Sequence, residues 1–363
     1  MLKRVGIYAG FALLWLGVIA VVVWAERLSS KHRDTTPIQQ TEITISGGGS
    51  TPLVDKLLIE EWLTTHDMTL RGAILSKADI ASIEKALASN SAVESVNVYA
   101  TYDGDLKIDI TQREPIARLR LNGYDMYLTE DGYLLPATDG YSVHVPVITG
   151  DYTPLFPPTY TGYAKDVVRD TIAALERRIN ELEDAKIPHY EDLKENNSRL
   201  RKVLRTRIKR GLFTSEQEIE LLTQALNESK TKARSDHSVV ERDIRAKIAT
   251  IETMQAEIRY EQKEIGNIDT DFDNLISLLL DIRENDYWRA EVVQIVATGG
   301  GSNPMLLSII PRSGRFTVDL GETERLDEKL RTLRRFYAKG LDRIGWDKYS
   351  RISLRYKGQV VCR

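Results

Sequence analysis

The stretch from about Tyr163 to Asn267 admits little except long helices. Ile172, Leu175, Ile179 and Leu182 recur at three- and four-residue intervals, and Leu193, Leu200 and Val203 continue the frame. A second arm carries Ile219, Leu226, Ala233 and Val240 every seven residues. It then shifts by four to Ile244, Ile251, Ile258, Ile265, Phe272 and Leu279. A seven-residue apolar repeat paints a stripe that another helix must cover, and the inserted four is a stutter. With Gly211 between the arms, the pattern predicts an antiparallel coiled-coil hairpin over 164–268. Arms of about 45 residues would reach roughly 65–70 Å at 1.5 Å per residue. Pro188 should kink or break the first arm, and His189 and Asn196 fall on its seam. A solvated, charge-rich linker is the alternative.

The N-terminus imposes a second constraint. The run VGIYAGFALLWLGVIAVVVWA, Val5 to Ala25, carries no charge, and its length suits a helix crossing a bilayer. Lys3 and Arg4 precede it, and Trp15 and Trp24 suit interface positions. Val23 and Ala25 would also serve a cleaved signal peptide, but an apolar signal core is usually only about 7–15 residues. The expected layout is a tail over 1–4, a transmembrane helix over 5–25 and a polar linker over 26–41. Arg27, Lys31 and Arg33 outnumber Lys3 and Arg4, so charge alone leaves the orientation open.

Elsewhere the patterns are globular and mixed α+β. Residues 42–112 read as β-α-α-β-β. EITIS is a strand, and STPLVDKLLIEEWLTTH is a helix capped by Ser50 or Thr51. SKADIASIEKALASN is a helix capped by Ser76, with Asp79 at the capping-box position and Ile80, Ile83 and Leu87 on its apolar face. A hairpin follows, in which Val96, Val98 and Ala100 alternate, Asp103-Gly104 turns, and Leu106, Ile108 and Ile110 alternate back. Residues 113–163 are short strands with turns at Asn122-Gly123 and Asp131-Gly132, forming the first part of a β domain. Residues 269–363 form its second part. There a helix with Leu275, Leu278 and Leu279 precedes the strands AEVVQIVA, MLLSIIPR and GRFTVDL, a helix ending near Gly340, and a terminal strand. In KYSRISLRYKGQVVCR, Ile352, Leu354 and Tyr356 face one way and Arg351, Ser353, Arg355 and Lys357 the other. Nothing after it suggests a hairpin partner, so this strand is expected at the edge of its sheet.

Composition narrows the function. A net charge of -3 with 28% charged residues argues against a general nucleic-acid binder. One cysteine, Cys362, rules out an internal disulfide framework and any cysteine-rich metal site, and leaves an oxidising compartment open. The five histidines are scattered, with no metalloprotease, nucleophile-elbow or phosphate-loop pattern. SGGGS at 46–50 and TGGGS at 298–302 read as turns. No enzyme activity, metal, cofactor or small-molecule substrate is expected.

The β-α-α-β-β unit directly after a single anchor resembles a POTRA domain. With QREPIARL, DGYLLP, VPVITG and FYAKGLDRIGWDKYSRISLRYKGQVVC, residues 1–163 and about 270–363 resemble the FtsQ cell division family in its Bacteroidetes-type form. That resemblance implies a single-pass inner-membrane protein of the division septum, with a cytoplasmic N-terminus and a periplasmic POTRA plus β domain. It implies a scaffold binding FtsB and FtsL. The family offers no counterpart for the hundred-residue insertion, which looks like an outgrowth of the helix around Leu279, with a possible interruption at Gly266-Asn267. On this reading the terminal strand accepts a partner strand. Tyr349, Arg351, Ser353, Arg355 and Tyr356 would form the binding face, with Phe336 and Tyr337 supporting it and the basic residues steering encounter. The basic residues could instead only guard the edge. Periplasmic adaptors of efflux or secretion systems also join an anchor to a helical hairpin, but the hairpin flanks here do not pair as matching halves. A POTRA chaperone for outer-membrane assembly would need more such units.

Overall fold

The computed structural model describes residues 14–27, 37–47, 52–65, 74, 79–101, 103–137, 143–209, 211, 215–300 and 303–363. Residues 14–27 form helix α1, with Leu14, Trp15, Val21 and Trp24 exposed. Among the described residues no helix is long and apolar enough to cross a membrane. The tail 1–4, residues 5–13 of the expected span and residues 28–36 of the expected linker lie outside the described residues. The chain divides into two compact units, one of residues 1–164, 274–299 and 305–363, the other of residues 165–273 and 300–304.

The first unit opens with β1 (Thr41–Ser46), α2 (Lys56–Thr65), α3 (Ile80–Ala88), β2 (Val93–Ala100) and β3 (Leu106–Gln112). The sheet order is β1-β3-β2, with β1 parallel and β2 antiparallel to β3. Leu106, Ile108 and Ile110 are buried at alternate positions of β3, in one core with Ile59, Leu63, Ile83 and Leu87. Gly104, at φ 94°, supplies the left-handed residue of the expected β2–β3 turn. Both helix starts differ from expectation. Asp55 accepts from Leu58 N–H (2.7 Å) before α2, and Asp79 is itself the cap of α3, accepting from Ser82 N–H. Ser50, Thr51 and Ser76 lie outside the described residues. Buried Gln112 accepts from the N–H groups of Leu53 and Val54 and donates to Gly47 C=O, tying the approach to α2 onto the end of β3.

A second sheet is built from β4 (Pro115–Leu119), β5 (Met126–Thr129), β6 (Tyr133–Pro136), β7 (Val147–Thr149), β8 (Gly162–Tyr163), β9 (Val292–Gly300), β10 (Asn303–Pro311), β11 (Thr317–Glu322), β12 (Arg351–Ser353) and β13 (Val361–Cys362). Its order is β13-β12-β11-β10-β9-β7-β4-β5-β6-β8. The halves before and after the insertion therefore meet at β7 and β9, which run parallel with Ile148 opposite Ile295. Both isoleucines are fully buried. Just beyond, Gly150 sits at φ 121° against the Ala297 backbone, and a Cβ there would overlap the Ala297 carbonyl oxygen.

The second unit holds α4 (Ala164–Arg205, from Lys165 on) and most of α5 (Glu216–Glu284). Asn196 donates to His237 C=O, while Gln255, far along α5, donates to Ile179 C=O, so the helices run antiparallel. Every inward position anticipated on α4, from Ile172 to Val203 and including His189 and Asn196, is half-buried. Two expected breaks are absent and one seam position turns outward. α4 continues as helix through Pro188, which lies exposed. α5 continues through Gly266-Asn267 without interruption. Val240 is 44% exposed, and half-buried His237 and Glu241 take the inward positions beside it. His237 Nε2 lies 2.9 Å from Asn197 Oδ1, so polar partners occupy the place where the repeat slips by four. A second polar layer joins buried Gln255 and Lys186 to Glu183 at 2.9 and 3.0 Å. The Gln255 amide, then Lys186, hold the Glu183 carboxyl below its usual range.

A Gly150→Ala variant would add both a left-handed β-carbon and a backbone clash at the β7–β9 junction. It should lose about 2–3 kcal/mol, read as a lower midpoint in denaturant unfolding.

Candidate partner-binding edge

The C-terminal edge of the second sheet is a small hairpin. β12 pairs in parallel with β11 on one side and antiparallel with β13 on the other, with Ile352 opposite Cys362 and Ser353 opposite Val361. The strand expected at the edge is therefore interior. The chain turns after Leu354, with Gly358 at φ 69°, and returns to pair with it. The turn explains why Ile352 and Leu354 are buried as the alternation requires while Tyr356 is exposed.

Arg351 and Arg363 exchange both backbone hydrogen bonds, at 3.1 and 2.9 Å. In an antiparallel pair the next position is not hydrogen-bonded across the strands. The N–H and C=O of Cys362 consequently point away from β12. Half-buried Cys362 is a free thiol whose pKa burial pushes up, against thiolate reactivity. The other side is held by Asp319 of β11, which is 4% exposed. Its backbone C=O accepts from Leu354 N–H (2.8 Å), and its carboxylate accepts from Arg355 Nε (2.8 Å) and Gly321 N–H (3.1 Å).

This clamp engages Arg355 through Nε alone, and its side chain stays 47% exposed. Arg351, exposed, has no ion pair among the described residues. Tyr349 and Ser353 are half-buried and Tyr356 is exposed beside it. Beyond α6 (Asp286–Glu291), Phe336 ends α7 (Leu326–Phe336), is half-buried, and sits against Gly340, where a Cβ would approach its ring to 2.8 Å. The chain widens there into a π-turn, Tyr337–Leu341. Tyr337, expected on the binding surface, is instead 2% exposed. Its ring packs among Trp288, Phe316 and Trp346 at centroid distances of 6.3, 5.9 and 5.0 Å. Its buried hydroxyl has no hydrogen-bond partner among the described residues, and burial pushes the phenol far above its ordinary range.

Against this geometry, residues 244–363 match the family described as FtsQ/DivIB, C-terminal related, and residues 38–111 match a POTRA-like domain. Together they support an FtsQ/DivIB-type cell division protein. Comparison with curated proteins gives no match. The FtsQ/DivIB match takes in the whole clamp and the edge strand, β11 to β13. The motif QREP lies outside both matches, and its residues have structural work. Gln112 fixes the approach to α2, while Arg113 stacks 3.5 Å above the Tyr133 ring and lies 3.4 Å from Asp131. Arg113 also lines a cleft of about 330 Å³ with Glu94, Glu114, Thr129, Glu130, Asp131 and Arg283. Arg283 pairs with Glu130 there at 2.6 Å. Two of its four carboxylates, Asp131 and Glu130, thus face its two guanidinium groups.

Sequence reading missed Asp319. A carboxylate within the apolar run Val318–Leu320 could have flagged it, since a buried charge needs a partner. Replacing Arg355 with Ala leaves Asp319 short of one donor and should cost about 1–3 kcal/mol, measured by thermal unfolding. Replacing Tyr337 with Phe removes a buried hydroxyl that bonds to nothing. That variant should match or exceed the parent in melting temperature, and a loss above about 1 kcal/mol would show a partner for the hydroxyl.

Proposed function

We propose that the protein is a non-enzymatic divisome scaffold, held in the inner membrane by the apolar run Val5–Ala25, with its N-terminus cytoplasmic and its domains periplasmic at the division septum. It binds FtsB- and FtsL-like proteins through strand addition at the C-terminal edge. The observation that carries this reading is the edge itself. The FtsQ/DivIB match ends on β13, a two-residue strand whose Cys362 N–H and C=O face outward. An incoming strand would find main-chain partners there and side-chain register from its neighbours. Tyr349, Arg351, Ser353 and Tyr356 form the flanking surface, Phe336 supports it from α7, and Arg351 steers acidic partners. The anchor is supported by the uncharged run and by the exposed apolar side chains of α1. The repeat along α4 and α5 supports a coiled-coil insertion in the periplasmic part.

The test is co-purification of FtsB- and FtsL-like proteins from the native cell with the full chain. Cys362→Pro removes the outward N–H and spares the Arg351–Arg363 bonds, so it should weaken capture at least tenfold while the melting temperature holds. Arg351→Glu should slow association at low salt and matter less at high salt. Undiminished capture by a folded Cys362→Pro protein would sink the strand-addition reading.

A further inference from the structure

Between Glu195 and Glu216 the sequence carries seven Lys and Arg residues and no Asp or Glu, in a chain whose net charge is -3. This run spans the far end of the helical pair. Arg199 pairs with Glu195 at 2.6 Å. Arg201, Lys202, Arg205, Arg207 and Lys209 are exposed, and none forms an ion pair among the described residues. Glu216, Glu218 and Glu220, the nearest acids along α5, form none with them either. Lys202 and Arg205 complement the carbonyl end of α4, as cations in a last helical turn do. Arg201, Arg207 and Lys209 lack even that role, and the Arg205 side chain stays exposed without an ion pair among the described residues.

The same end exposes apolar surface. Asn196 level with His237 and Ile179 level with Gln255 set a register that puts Arg205, the last residue of α4, about level with Glu228. α5 begins at Glu216, so roughly its first three turns outrun α4. Thr206 to Lys209 carry no helix there, and Leu221 and Leu222 stand 67% and 46% exposed. Leucines and unpaired cations at one end of the helical pair match the chemistry of an anionic lipid surface, where apolar side chains enter the headgroup boundary and cations meet phosphates. A soluble polyanion would use the cations and leave the leucines idle.

We propose that the distal end of the helical pair docks on anionic lipid, through Arg201, Arg205, Arg207 and Lys209 with Leu221 and Leu222. This does not rest on the divisome reading. The full chain would be reconstituted in phosphatidylcholine vesicles, and capture of separate fluorescent vesicles containing about one-third phosphatidylglycerol would be measured. Each cation near such a surface strengthens attachment about fivefold. The triple variant Arg201→Glu/Arg205→Glu/Arg207→Glu should therefore lose capture more than a hundredfold, and added salt should weaken the parent. Leu221→Ser/Leu222→Ser should weaken it at least severalfold. Circular dichroism checks the helices, and Arg201→Gln/Arg205→Gln replaces the triple reversal if that variant loses helicity. Absence of capture by the parent overturns the proposal, as does equal capture of neutral vesicles or capture surviving charge removal. Capture unchanged by the leucine variant, with binding to heparin lost in the charge variant, would assign the surface to a soluble polyanion instead.

Discussion

Three residues of β7 hold the second sheet together. Val147–Thr149 lie between β4 and β9, and among the described residues their parallel pairing with Gln294–Val296 is the strand contact joining the part of the sheet before the insertion to the part after it. A parallel pair cannot be closed by a tight turn and needs a long crossover. Here the crossover contains the entire insertion. Closure entropy grows only with the logarithm of loop length, about 0.6 kcal/mol per doubling. A hundred extra residues are thus thermodynamically cheap once β7 and β9 can pair. What the junction cannot tolerate is bulk, which is why Gly150 abuts the Ala297 backbone and why Ile148 and Ile295 are fully buried. One polar tie from the end of α5 also joins the two halves, Arg283 reaching Glu130 beside β5.

The features legible in the sequence were those set by near neighbours along the chain. Alternation in β3, the Asp103-Gly104 turn and the seven-residue repeat on α4 all depend on residues a few positions apart. The helix caps were legible in kind and misplaced by a few residues, because Asp55 and Asp79 compete with nearby Ser and Thr for the same role. The C-terminal edge was misread for a different reason. β13 is two residues long, too short for any periodicity, and exists because Gly358 lets the chain reverse. Tyr337 was misplaced although it follows buried Leu330 and Leu333 by seven and four residues, on the same helical stripe, which turns it into the aromatic core. Pro188 was overrated as a breaker because on an exposed face it gives up one backbone bond while the seam on either side continues.

The slip in the α5 repeat shows how polar residues specify pairing. At the four-residue insertion an apolar seam would be free to choose between Val240 and its neighbours. His237 instead meets Asn197, Asn196 meets the His237 carbonyl, and Val240 turns outward. The Gln255–Glu183–Lys186 layer plays the same part nearer the start of α4. Sliding either helix by one turn would separate these groups and bury at least one without a partner, a cost of about 1–3 kcal/mol per group. Such layers contribute register at the expense of raw stability, as single polar residues do in other helical pairs.

At the C-terminus, order and availability come from different groups. Asp319 fixes the exit of β12 with both its backbone and its carboxylate, so Arg355 helps shape the edge while its side chain stays exposed. Arg351 and Arg363 close the hairpin through the backbone and leave their side chains free. An edge that short, flanked by Arg351 and Lys357, is poorly suited to random pairing with other chains. If a partner strand adds here as proposed, it must bring more than main-chain hydrogen bonds, with acidic side chains for Arg351 and apolar ones for Tyr356. Main-chain pairing alone would offer it little beyond the two outward groups of Cys362, so specificity at this edge has to reside in the side chains around it.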